Sequence, residues 1–128
     1  MNIKITSVEK RMANILKVLG SPFRVRLLFT IGHSEACVCH LEAVLKKRQA
    51  YISQHLMVLR DADILKTRRD GKYIFYRIAD DSIFELLEIA AAIQKISPEM
   101  LPKINEPGTQ ANCACPKCEP ENSLEKIE

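Results

Sequence analysis

Apolar residues recur at helical spacing through most of this chain. Val8, Met12, Ile15, Leu16 and Leu19 predict an amphipathic first helix that stops near Gly20. Ser21 and Pro22 then supply an N-cap and a first helical position. The second helix carries Phe23, Val25, Leu27, Leu28 and Ile31 and ends around Gly32. A short extended piece at 36–38 leads to a third helix from about Cys39 to Lys46. After a tight turn at 47–49, a fourth helix runs from about Ala50 to Ala62. Its Ile52, Leu56 and Leu59 share one face, while Tyr51, Ser53, Gln54 and Arg60 lie off that stripe. Ile64–Thr67 and Tyr73–Ile78 read as strands, with Asp70-Gly71 between them as a hairpin signal. A last helix spans about Asp81 to Ile96, with Ser82 contributing to its cap.

Ten of the fourteen residues from Ile83 to Ile96 are apolar, more than one buried stripe requires. Such a helix needs a second partner, and another copy of the chain related by a two-fold axis supplies one. The expected dimer interface is Val8, Met12 and Ile15 from the first helix with Leu86, Leu87, Ala90 and Ile93 from the last. Beyond Ser97-Pro98 the chain is polar, acidic and punctuated by proline. The expected organisation is one domain over 1–96 and a flexible, cysteine-containing tail over 97–128.

The fold class is therefore mainly α with a small β-hairpin (α+β), in the element order of a winged helix-turn-helix, and homodimeric. The fourth helix takes the place of the recognition helix and the hairpin that of the wing. Charge sharpens this reading. Net charge is only +3, but Lys46–Arg77 holds nine basic residues against three acidic ones. A concentrated basic block is what phosphate neutralisation on double-stranded DNA requires. Gln49, Tyr51, Ser53 and Gln54 are the candidates for base edges. Lys46, Lys47 and Arg48 at the turn, with Arg68, Arg69 and Lys72 placed at the wing tip, are the candidates for phosphates. His55 lies between the polar face and Leu56, and suits either a phosphate contact or a buried, satisfied histidine.

Other classes are disfavoured. No apolar stretch approaches the roughly 20 residues that span a bilayer. Residues 1–10 lack a signal-peptide core, so a cytoplasmic protein with no membrane partner is expected. There is no Gly-rich phosphate loop and no nucleophile motif, so an enzyme is not expected. His33 and His40 read as isolated, with His40 beside Cys39 a spare ligand. Five cysteines in such a chain form no closed disulfide framework and point to metal ligation or redox sensing.

Four segments in order carry a resemblance: LKVLGSPFRVRLL (16–28), ACVCHL (36–41), RQAYISQHLMVLRDADIL (48–65) and RRDGKYIFYRI (68–78). Over about half its length the chain resembles the arsenic-repressor (ArsR/SmtB) family of winged-helix metal sensors. The resemblance implies a homodimer that represses metal-resistance operons and leaves operator DNA when an ion binds. The recognition segment, Arg48 to His55, departs from the family's usual Ser-Gln-Ser-Thr pattern, so the operator sequence does not carry over.

Cys37 and Cys39 stand where arsenic- and cadmium-sensing members carry a Cys-Val-Cys pair, which implies ligation. A third cysteine often follows in those members; here that position is Glu42. Two thiolates complete neither a trigonal nor a tetrahedral site. Cys113, Cys115 and Cys118 are the candidates for the missing donors. Sixteen residues separate Ile96 from Cys113, a span of roughly 20–25 Å as a coil and about 55 Å extended. One joined site and two separate ones both remain open. The inducers expected for a thiolate site are As(III), Sb(III), Cd(II) or Pb(II), and copper(I) is a further candidate. The alternative is a thiol-redox or sulfide-responsive repressor of the same fold.

Overall fold

The computed structural model describes residues 3–104. It contains α1 (Ser7–Leu19), α2 (Pro22–Ile31), β1 (Ala36–Cys37), α3 (Val38–Leu45), α4 (Gln49–Asp61), β2 (Leu65–Asp70), β3 (Tyr73–Ile78) and α5 (Ser82–Ile93). One 3-10 turn, Pro98–Met100, follows. The sheet order is β1-β3-β2, all antiparallel.

Local chemistry sets most boundaries. Thr6 and Glu9 close a capping box at the start of α1. Ser21 Oγ accepts from the Arg24 N–H, with Pro22 in the first turn of α2. The start of α5 departs from expectation: Ser82 is the first helical residue, the N-cap Asp81 makes no side-chain cap bond, and Asp80 Oδ1 accepts the Ser82 N–H at 2.9 Å. That bond holds the Asp80 carboxyl below its ordinary range. The wing also differs from its sequence reading. A two-residue turn with Gly71 at φ 61° lets β2 run on to Asp70. Arg68 and Arg69 therefore lie within the strand, opposite Phe75 and Ile74, and only Lys72 sits at the tip.

The core joins every long element. Leu27, Leu28 and Ile31 of α2 meet Leu41 of α3, Ile52, Leu56 and Leu59 of α4, Leu65 and Ile78 of the hairpin, and Ile83 and Phe84 of α5. Burial of the α4 stripe fixes which way that helix faces. A second, smaller cluster stands apart: Cys37 and Phe75 are buried, with Cys39 and Tyr73 packed against them. After α5 the chain folds back far enough for Ile104 to pack on the main core. Residues 105–128, including Cys113, Cys115 and Cys118, lie outside the described residues.

Two helices keep apolar surface outside. On α1, Val8 is 61% and Met12 64% exposed, with Leu16 alongside; on α5, Ile89 and Ile93 are exposed. Ala90 is exposed too, whereas Ile15, Leu86 and Leu87 are half-buried against the core. Leu16 and Ile89 complete this surface and were missed by the sequence reading. Their helical phase with Met12 and Ile93 was the available signal.

Candidate nucleic-acid interface and its thiol pair

The turn between α3 and α4 presents its cations outward. Lys46 adopts the left-handed conformation (φ 55°) that ends α3, and Lys46, Lys47 and Arg48 are all exposed. Gln49 and Gln54 are exposed and Ser53 is half-buried; none makes a side-chain hydrogen bond among the described residues. These polar groups remain available to base edges while Ile52, Leu56 and Leu59 hold the helix from behind.

Tyr51 is held from three sides. Its ring meets Phe23 at 4.8 Å and His55 at 4.8 Å, and Lys47 Nζ lies 5.8 Å from its centroid. His55 belongs to this cluster, stacked near Phe23 and with Nδ1 3.1 Å from Arg24 Nη1. An arginine can only donate, so Nδ1 accepts and the ring is neutral. Burial, and then the charge of Arg24, push the His55 pKa below its ordinary value. Arg24 itself is anchored through Nε to the Val18 carbonyl at 2.6 Å. Of the two roles left open for His55, the structure gives the satisfied histidine.

The wing cations are held differently. Arg68 forms a fork onto Glu35, with Nε 3.0 Å from Oε2 and Nη2 2.9 Å from Oε1. Its guanidinium lies 4.7 Å from the Phe75 ring centroid. Lys72 Nζ sits 5.4 Å from the Tyr73 ring. Arg69 is exposed and makes no ion pair among the described residues. Sequence spacing gave no hint of a pair 33 residues apart.

Cys37 and Cys39 lie beside these wing aromatics. Cys37 ends β1 opposite Phe75 and is itself the N-cap of α3, its sulfur accepting the His40 N–H at 3.3 Å. Cysteine is not an ordinary capping residue, which is why the helix was expected to begin later. Cys39 falls in the first turn and is half-buried. The sequence pointed away from a closed disulfide framework and toward ligation or redox sensing; here the two residues are joined by a disulfide, with Cα atoms 5.4 Å apart. Reduced, the same two sulfurs converge on one point, and thiolates suit a soft ion. Among the described residues no group of three His, Cys, Asp or Glu side chains could hold a metal. His40, the spare ligand, is buried. His33, read as isolated, is not: its Nδ1 lies 3.3 Å from Asp81, and its ring packs on Phe84.

The comparisons with known proteins agree with this architecture. Residues 21–67 match the family described as bacterial regulatory protein, arsR family. A biofilm growth-associated repressor of Agrobacterium fabrum is 45% identical over 94 residues, covering 71% of this chain and 80% of that one. The chain belongs to the arsR family. As a member it is a DNA-binding transcriptional regulator of winged helix-turn-helix fold, not an enzyme. A cadmium resistance transcriptional regulatory protein CadC homolog of Staphylococcus aureus is 29% identical, over 66% of this chain and 70% of that one. The homodimeric winged helix-turn-helix domain Mb0332 of Mycobacterium bovis superposes with a TM-score of 0.63 at 20% identity, covering 80% of this chain and 94% of that one. No helix among the described residues is long and apolar enough to cross a membrane.

Proposed function

We propose that this arsR-family regulator represses by binding operator DNA as a homodimer, and that a thiophilic ion bound at Cys37 and Cys39 releases it. The observation that carries this reading is the convergence of two cysteine side chains where β1 meets α3, the helix that leads through a basic turn into α4. Lys46, Lys47, Arg48, Arg69 and Lys72 neutralise phosphates, and Gln49, Tyr51, Ser53 and Gln54 read bases. The exposed apolar faces of α1 and α5 pair two copies, so that two recognition helices meet successive half-sites. The likeness to a cadmium resistance regulator supports the choice of ion class. Two sulfurs need a further donor for trigonal or tetrahedral coordination. Cys113, Cys115 and Cys118 supply it in this account, acting in the cytoplasm. Binding requires the reduced pair, since only thiolates ligate.

A second reading is favoured by the bonded sulfurs themselves. In it, the two thiols pass two protons and two electrons to a hydroperoxide, which leaves as alcohol and water, and the disulfide is the released state. Fluorescence anisotropy of the fully reduced full-length chain on its upstream DNA separates the two. Release by arsenite, antimonite, cadmium or lead, and not by zinc, is expected. Release by hydroperoxide alone replaces the first reading with the second, and absence of DNA binding overturns both.

A further inference from the structure

The elements beside the thiol pair belong to the wing rather than to the recognition helix. Cys37 and Phe75 are paired residues of neighbouring strands, 2% and 1% exposed, and with Cys39 and Tyr73 they form a cluster separate from the main core. Each of the two wing rings in that cluster carries a wing cation: Arg68 over Phe75 and Lys72 over Tyr73. Arg68 is tied back to Glu35, two residues before Cys37, by the bidentate fork described above. The strand that holds the reactive sulfur and the strand that holds the wing cations are thus linked twice, once through an aromatic ring and once through an ion pair.

We propose that the wing reads the bonding state of Cys37 and Cys39, with Glu35 and Phe75 as the positioning residues that carry the change to Arg68. The proposal rests on the reading of this pair as the input of a DNA-binding repressor. The physical argument is close packing. Cys37 is enclosed with Phe75, so an atom inserted between the sulfurs presses on the ring and on strand β1 as well as on half-buried Cys39. Movement of the ring moves the guanidinium stacked on it, and movement of β1 moves Glu35. A guanidinium whose Nε–Nη2 edge is committed to a carboxylate acts as a strut, with only Nη1 left over. Arg69 and Lys72 then supply the phosphate contacts of the wing, and Arg68 sets where they stand.

The test uses the full-length chain with Cys113, Cys115 and Cys118 replaced by serine, so that only one thiol pair reacts. Phenylarsine oxide is added under full reduction. Two As–S bonds form, the arsenic oxygen leaves as water with the two thiol protons, and nothing is oxidised. Amide and Arg68 Nε resonances report the wing, and anisotropy reports DNA affinity. Expected are shifts at Arg68, Lys72, Tyr73 and Phe75 larger than those across Gln49–Asp61, with a roughly 5–150-fold loss of affinity. Glu35→Gln, a surface change that keeps shape, is expected to remove the Arg68 Nε shift and to shrink the affinity ratio by about 2–30-fold. Arg68→Lys, which keeps charge but loses the fork, is expected to shrink the affinity ratio in the same way. Still wing resonances beside a shifted α4, or a Glu35→Gln chain with the full affinity response, overturn the proposal. Wing shifts without any change in DNA affinity uphold the linkage and overturn instead the reading of the pair as a DNA switch.

Discussion

The recognition helix and the wing both face DNA, but they are held in place by different physics. α4 is fixed by burial: Ile52, Leu56 and Leu59 are fully buried, and the polar residues opposite them keep their hydrogen-bonding groups free. In the wing only β3 is anchored by burial, through Phe75, Tyr76 and Ile78, whereas Leu65 is the only buried residue of β2. The outer part of the hairpin, beyond Leu65, is held by its pairing with β3 and by a few specific contacts, namely the Glu35–Arg68 fork and the two cation–ring pairs. An element held by a large apolar face resists displacement, whereas one held by a few surface contacts responds when one of them moves. The buried-faced helix therefore suits reading bases, and the lightly held outer part of the hairpin suits reporting a chemical change.

Substitutions can break that comparison, and the largest effect belongs behind α4. Leu56→Ala is expected to cost about 2–5 kcal/mol of stability, read by urea denaturation, because a fully buried leucine leaves a cavity. A loss well below that range contradicts the claim that burial fixes this helix. On its outer face, Gln54→Ala is expected to leave stability within error and to remove roughly 1–3 kcal/mol of base discrimination, measured by competition with operator variants. At the wing, Lys72→Gln is expected to lower the slope of log affinity against log salt by about 0.9, the effect of one lost phosphate contact. Arg68→Gln should leave that slope unchanged, and an equal drop for both would return Arg68 to the phosphate contacts.

A pH prediction follows from His55, whose folded-state pKa lies below its ordinary value. In the window beneath about 6.5 the unfolded chain takes up a proton that the folded chain refuses. Stability contributed by the neutral ring is present above that value and declines as pH falls toward the folded-state pKa. His55→Gln is expected to flatten this part of the stability–pH curve, and an unchanged curve assigns the dependence to other groups. The smallest effect is expected for Glu35→Gln, which should barely move the unfolding midpoint because its Arg68 partner is half-exposed to solvent. Its consequence is for coupling, not for stability.

The long elements were legible because apolar spacing reports burial directly, as at Leu27, Leu28 and Ile31 in α2 or Ile52, Leu56 and Leu59 in α4. The Ser21-Pro22 cap and a hairpin turn at Gly71 were legible for local stereochemical reasons, although the turn residues are Gly71 and Lys72 and Asp70 belongs to β2. The outer half of β2 was not: Lys66–Asp70 has no apolar alternation, and its strand character comes from pairing with β3. The Cys37 cap, the Glu35–Arg68 fork and the His33–Asp81 pair were also hidden. The first uses a residue type that seldom caps, and the others join side chains far apart in sequence. The basic turn and the polar face of α4 were visible from residue type and helical phase alone.

The most direct test of the account is the DNA affinity of the fully reduced full-length chain and of its Cys39→Ser variant, each with and without arsenite. The account predicts comparable binding by both without arsenite, and arsenite release of the wild-type chain but not of Cys39→Ser. Equal release of both by arsenite would contradict control through this thiol pair.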